Sequence, residues 1–222
     1  MKTLLNVVVL LLASTLGLAL GWSMLDLPVA AVRLPEQVTA QLDMSGVAHP
    51  VTAVLLNFRG YDTLLEIAVL LAALLGMLAL PRHVAGRENR PVPASTMLQT
   101  LARLLVPLMV LVAGYVLWAG AYQPGGAFQA GAVLAGAGVL LHLAGLLPAW
   151  VTLGQTLRAG LAVGLLVFIA VGAAVMAQGT LLQYPPDWAG ALILAIEANL
   201  TLSIGLILAG LYLVLTNSGE RA

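Results

Sequence analysis

Six stretches of this chain each run for about twenty residues with almost no charge, the length an α-helix needs to cross the roughly 30 Å hydrocarbon core of a bilayer. Lipid offers no partner to a backbone N–H or C=O, so runs of that length must close their hydrogen bonds internally as helices. Composition leaves no soluble alternative. Of the 222 residues, 61% are hydrophobic and 8% charged, and the mean hydropathy is +1.04, where an ordinary soluble domain carries roughly 25% charged residues. The sequence predicts an all-α integral membrane protein of about six transmembrane helices, near residues 3–25, 62–81, 98–120, 127–147, 157–178 and 189–216.

The connectors are marked by breakers and charge. Residues 26–50 carry Asp26, Pro28, Arg33, Pro35, Glu36, Asp43, Gly46 and Pro50, a loop with room for a short surface helix, and Val51 to Leu56 is an apolar approach too short to span. Arg82, His83, Arg87 and Arg90, with Pro91 and Pro93, form a basic linker that divides the chain into a two-span region, 1–96, and a four-span region, 97–222. Lys2 ahead of an apolar run also fits a signal peptide, but the run continues past Trp22 and Met24 and is better read as a first span. With the N-terminus inside, Lys2, Arg82, Arg87, Arg90, Arg103, Arg158 and Arg221 fall on the cytoplasmic side and only Arg33 and Arg59 outside, which predicts N-in and C-in. Arg103 and Arg158 are placed to snorkel.

The same composition excludes several function classes. Zero net charge lacks the basic footprint of a nucleic-acid binder. Without cysteine there is no disulfide, thiolate nucleophile or cysteine-ligated metal, and no cofactor is expected. The chain has no His-Glu-x-x-His run and no hydrolase triad in reach, so it is not expected to be an enzyme by itself. The halves show no inverted repeat of the kind a free-standing transporter carries.

Carboxylates inside the apolar runs are the candidate functional residues, because a charged side chain at the centre of a bilayer costs roughly 2.5–3.5 kcal/mol on insertion scales and usually has a job or a partner. Asp62 and Glu66 are four apart at the start of the second span and share a helix face, with Arg59 the nearest cation. Thr63-Leu64-Leu65-Glu66 fits a capping box, in which Thr63 is the N-cap and Glu66 reaches back to it; the competing role is a proton or cation relay. Glu197 is the second acid, about eight residues into the last span or some 12 Å along its axis. There it is too deep to cap, and it is expected to carry protons or to lock to a neighbouring helix. His142, toward the end of the fourth span, is more a packing residue than a carrier, although imidazole titrates near neutrality.

Between the third and fourth spans stands Gln123-Pro124-Gly125-Gly126-Ala127-Phe128-Gln129-Ala130-Gly131, a turn whose glycines let backbone approach closely. Ala127, Gly131 and Ala135, then Gly138 and Gly145, make a small-residue stripe suited to tight helix packing. No Lys-Ser/Thr follows, so this is not a phosphate loop.

Two of these stretches resemble one family. Val54-Leu55-Leu56-Asn57-Phe58-Arg59-Gly60-Tyr61-Asp62-Thr63-Leu64-Leu65-Glu66 is similar to the C-terminal end of the A subunit of Mrp-type multisubunit Na+/H+ antiporters and to the matching small subunit of membrane-bound hydrogenases. Asn57 stands where that pattern has Asp, and Leu65 where it has Gly. The Pro124-Gly125-Gly126 run and Ile196-Glu197 resemble the B subunit of the same antiporters, with Ala127 and Ala130 in place of glycines. The resemblance implies a fused A-tail and B subunit in a bacterial cell membrane, with the other antiporter subunits and the bilayer as partners, protons and monovalent cations as cargo, and no nucleic acid. It implies Asp62, Glu66 and Glu197 as the ion-path acids and Arg59, Gly60, Thr63, Pro124, Gly125, Gly126 and Gly131 as structural motif residues; His142 joins the candidate ion path from its place in the fourth span alone. The alternative function is a purely structural scaffold in a related proton-coupled complex.

Overall fold

The computed structural model describes residues 2–27, 33–79, 95–147, 155–177, 179, 181–182 and 184–219. The basic linker, the Leu80-Pro81 end of the second span, Pro148 and Arg221 lie outside them. Among the described residues the regular structure is entirely helical: α1 Lys2–Leu25, α2 Leu34–Gln41, α3 Pro50–Ala53, α4 Gly60–Ala79, α5 Thr96–Ala119, α6 Ala127–Leu143, α7 Gln155–Met176 and α8 Pro186–Gly219. A 3₁₀ turn, Leu42–Met44, follows α2 and a π-helical turn, Val54–Phe58, joins α3 to α4. Helices α1, α4, α5, α7 and α8 are long and apolar enough to cross a membrane, and α6 is a shorter apolar helix of 17 residues. The chain is a multi-pass, all-α membrane protein.

Two compact units divide at Gln37 and Val38. In the first, α1 is a single apolar helix with its described side chains exposed, and Arg33 pairs with Glu36 one turn along at 3.0 Å.

The second unit is a bundle built around α8. Ala189, Ile193, Ile196, Leu200, Ile204 and Ile207 recur at spacings of three and four, so they line one side of α8, and all six are buried. The first five pack with Phe168 of α7, Ile67 of α4, Leu56 and Ala127 in one core, and further along α8 Ile207 packs with Leu74 of α4 and Leu161 of α7 in a second. Small residues let the helices close on each other. A methyl at Gly131 of α6 would lie 2.8 Å from Ile204, and one at Gly164 of α7 would lie 2.7 Å from Ser203. Ser203 in turn donates its hydroxyl to the Leu161 carbonyl at 2.6 Å.

Local chemistry explains where the helices begin and end. Ser95 caps α5 by accepting from Leu98 N–H at 3.2 Å. Pro107 sits inside α5 and cannot donate, leaving the Arg103 carbonyl without its helical partner, a fault membrane helices tolerate. At the end of α6, Leu146 N–H bonds to Leu141 O at 2.8 Å and Gly145 N–H to His142 O at 3.0 Å, with Gly145 at φ +64, a Schellman ending. Gly145 therefore terminates α6 and does not continue the small-residue stripe; nothing lies within 4 Å of where its side chain would be.

The turn between α5 and α6 lies below the start of α8 and is covered by the segment 45–58. Ala48 and His49 both donate backbone N–H groups to the Ala121 carbonyl at 3.0 Å, and Thr52 donates its hydroxyl to the Gly120 carbonyl. Exposed carbonyls at a helix turn inside a bilayer would be costly, and this segment supplies the donors that water would give at the surface. The stretch expected to be only an apolar approach is thus a folded lid over the turn.

Candidate functional site

Glu197 sits in the first third of α8 and is 4% exposed. It is eleven residues after Pro186, about 16 Å along the axis, deeper than expected because α8 begins at Pro186, with proline at a position where its missing N–H costs nothing. Its Oε1 accepts from the backbone N–H of Ala127, the first residue of α6, at 3.3 Å. The expectation that Glu197 is too deep to cap is corrected here: it cannot cap its own helix, but it caps the neighbouring one, because α6 starts inside the bundle. The N-terminus of a helix presents unsatisfied N–H groups and a partial positive charge, so it suits a carboxylate. Thr201, one turn along, donates its hydroxyl to the Glu197 carbonyl at 2.8 Å and takes no part in holding the carboxylate.

Glycine makes this approach possible. Gly126, the residue before α6, has φ +104 and ψ −169, a region essentially confined to glycine. A methyl group there would fall 2.6 Å from Glu197 Oε1. Gly126 N–H is itself bonded to Val116 O at 3.0 Å, which pins the turn against the end of α5.

A cleft of about 490 Å³ reaches Glu197 from the lid end of the bundle, lined also by Asp43, Gly46, Trp118, Tyr122 and Ile193. Asp43, Trp118 and Tyr122 are exposed and Glu197 is buried, so the acid stands at the inner end. Trp118 and Tyr122 stack in a tilted pair at 5.5 Å, with Tyr115 against Trp118 at 6.4 Å. These cleft residues were not singled out from the sequence. For the aromatic pair the available signal is the cluster Tyr115, Trp118 and Tyr122 at the end of the third span, of which Trp118 is on α5 and Tyr122 in the turn that follows it.

Asp62 and Glu66 line a separate groove on α4 with Arg59, Leu65, Val69, Leu70 and Phe128. Arg59 and Asp62 form an ion pair one turn apart. Glu66 is exposed, and among the described residues it has no ion-pair or hydrogen-bond partner. The expected capping box does not form. α4 begins at Gly60, which places Thr63 and Glu66 inside the helix, and the buried Thr63 hydroxyl donates instead to the Leu55 carbonyl of the π turn at 2.6 Å. Asn57 donates its side-chain amide to Ser45 O at 3.0 Å, a bond that a carboxylate at this position could not make. Phe128 adjoins Ala127, so the first two residues of α6 touch Glu197 on one side and the Glu66 groove on the other. His142 is exposed in the last turn of α6, fifteen residues and about 22 Å from Ala127, and joins neither site. No cluster of three metal-ligating side chains occurs among the described residues.

Comparison with known proteins places the chain in a family. Residues 97–216 match a family model described as a domain related to the MnhB subunit of Na+/H+ antiporter. None of the curated proteins matches. Among solved structures, a chain of the membrane-bound sulfane sulfur reductase, an archaeal respiratory membrane complex, is 24% identical with a TM-score of 0.74 over 96% of this chain and 98% of that one. A chain of the Mrp complex from Dietzia sp. DQ12-45-1b is 24% identical with a TM-score of 0.70 over 92% of this chain, which spans 25% of that longer one. At that identity the two structures establish a shared fold, and the family match covers more than half of the sequence: the chain belongs to the family of domains related to the MnhB subunit of Na+/H+ antiporters.

Proposed function

We propose that the chain is a membrane subunit of a Mrp-type cation/proton antiporter, or of a related proton-coupled complex of the cell membrane, and that Glu197 takes up and releases a proton or monovalent cation at the inner end of the cleft. The observation that carries this reading is a single buried carboxylate at the meeting of an accessible cleft and a helix N-terminus. A charge there is held by the Ala127 N–H and the α6 dipole, which are fixed in place before any ion arrives. The groove of Asp62 and Glu66, which adjoins the same end of α6, is where a path would leave this chain for a neighbour. In this reading residues 1–96 correspond to the A-subunit tail and 97–222 to the B subunit, and His142 is not on the path.

A scaffold role is favoured by one specific feature: the hydrogen bond from Ala127 to Glu197 caps α6 whether or not ions move. Replacing Glu197 by Gln separates the two, since the amide keeps an oxygen acceptor for Ala127 N–H but cannot exchange a proton. In membrane vesicles carrying the assembled complex, Glu197→Gln is expected to abolish proton movement driven by Na+, K+ or Li+. Unchanged flux at normal complex abundance would leave only the scaffold.

A further inference from the structure

Glu66 presents a problem that the bundle itself leaves unsolved. Its groove on α4 holds two carboxylates and one guanidinium, and Arg59 is already engaged with Asp62. One negative charge is left over, on a side chain that is exposed between Leu65 (46% exposed) and Val69 (66% exposed). Glu66 lies six residues after Gly60, about 9 Å along α4, a helix long and apolar enough to cross a membrane. Lipid tails cannot solvate a carboxylate at that level, and acids in membrane helices face protein, water or a counter-charge.

We infer that this face of α4 is the docking surface for a membrane-spanning helix of another subunit, and that the helix presents one Lys or Arg side chain to Glu66. Charge complementarity selects the partner: one uncompensated negative charge calls for one cation, set among apolar residues that match Leu65, Val69 and Leu70. Arg59 and Asp62 then act as an internal pair that leaves Glu66 as the specific contact. A helix lacking the cation would bury a lone carboxylate, which breaks pairing with wrong neighbours as strongly as it favours the right one. The inference rests on the reading of the chain as a subunit.

The test uses the assembled complex in its native membrane. A photo-crosslinking amino acid, p-benzoylphenylalanine, replaces Val69 and, as references on other faces, Leu111 of α5 and Leu166 of α7, all exposed. Adducts are identified by mass spectrometry. From Val69 the expected product is an apolar protein segment that contains a Lys or Arg, and Glu66→Lys should reduce its yield at least tenfold, with recovery when the partner's cation is changed to Glu. A segment without a cation, or lipid adducts alone from Val69 while a reference position captures protein, overturns the docking surface and leaves the subunit reading standing. If none of the three positions captures a protein, both fall.

Discussion

Glu197 and Glu66 are both carboxylates on helices that cross the membrane, yet the chain treats them in opposite ways. Glu197 is buried, with a backbone donor from the start of α6 and a cleft leading to it. Glu66 is exposed and, among the described residues, unpaired, one turn below an ion pair that uses up the only cation in its groove. The difference lies in what stands opposite each acid. Across from Glu197 another helix begins, which supplies N–H groups and a positive dipole; among the described residues Glu66 meets apolar side chains such as Phe128 and no partner of its own. An acid in a bilayer needs a partner, and one of these two finds it inside the fold while the other must find it in a neighbour.

That contrast can be broken most severely at Gly126. Gly126→Val places a branched side chain in a backbone region essentially reserved for glycine, at a cost of roughly 1–3 kcal/mol for the backbone alone, and drives it into the Glu197 carboxylate besides. The variant should show a large drop in its unfolding midpoint in detergent and lose cation-driven proton movement; a normal midpoint would mean that Glu197 is not held where it is described. Next in size is Glu197→Leu, which leaves the buried Ala127 N–H without an acceptor and should cost about 1–3 kcal/mol. Glu197→Gln should cost less than about 1 kcal/mol by the same measurement. Equal losses from the two would deny that the hydrogen bond matters.

Smaller effects sharpen the comparison. Asn57→Asp removes the amide that ties the lid to the Ser45 carbonyl and should lower stability by about 1 kcal/mol while leaving the helix content in circular dichroism unchanged. At the bottom of the scale, Glu66→Gln in the isolated chain should shift stability by no more than about 0.5 kcal/mol, since among the described residues Glu66 has no ion pair or hydrogen bond to lose. A large shift there would show that Glu66 has an internal partner and would remove its need for a neighbour.

Much of the architecture was legible from the order of residues. Long apolar runs placed α1, α4, α5, α7 and α8 to within a few residues, and the stripe of Ala127, Gly131 and Ala135 was correctly read as a packing surface because small side chains recur at one helical face. The candidate site was only half legible. A carboxylate in an apolar run announces itself at Glu197, but its partner lies seventy residues away in sequence, and no local pattern connects them. At Thr63 and Glu66 the local pattern misled: the capping box requires the helix to begin at Thr63, whereas the π turn ends at Phe58 and, after Arg59, α4 already begins at Gly60. The lid over the α5–α6 turn was invisible for a related reason, since Thr52 and the Ala48–His49 amides find their acceptors only after the chain has folded back on itself.

Hydropathy and residue type alone determined that this chain lives in a bilayer as a bundle of helices, because backbone polar groups in hydrocarbon admit no other solution, and they determined that its few buried charges need an explanation. Only the tertiary structure decided what those charges meet. Whether a carboxylate faces a helix N-terminus, a cation or an empty flank depends on which helices lie side by side and at what height, and side-by-side placement is set by long-range packing of small residues on α6 and α7 against α8, not by any neighbour in the chain.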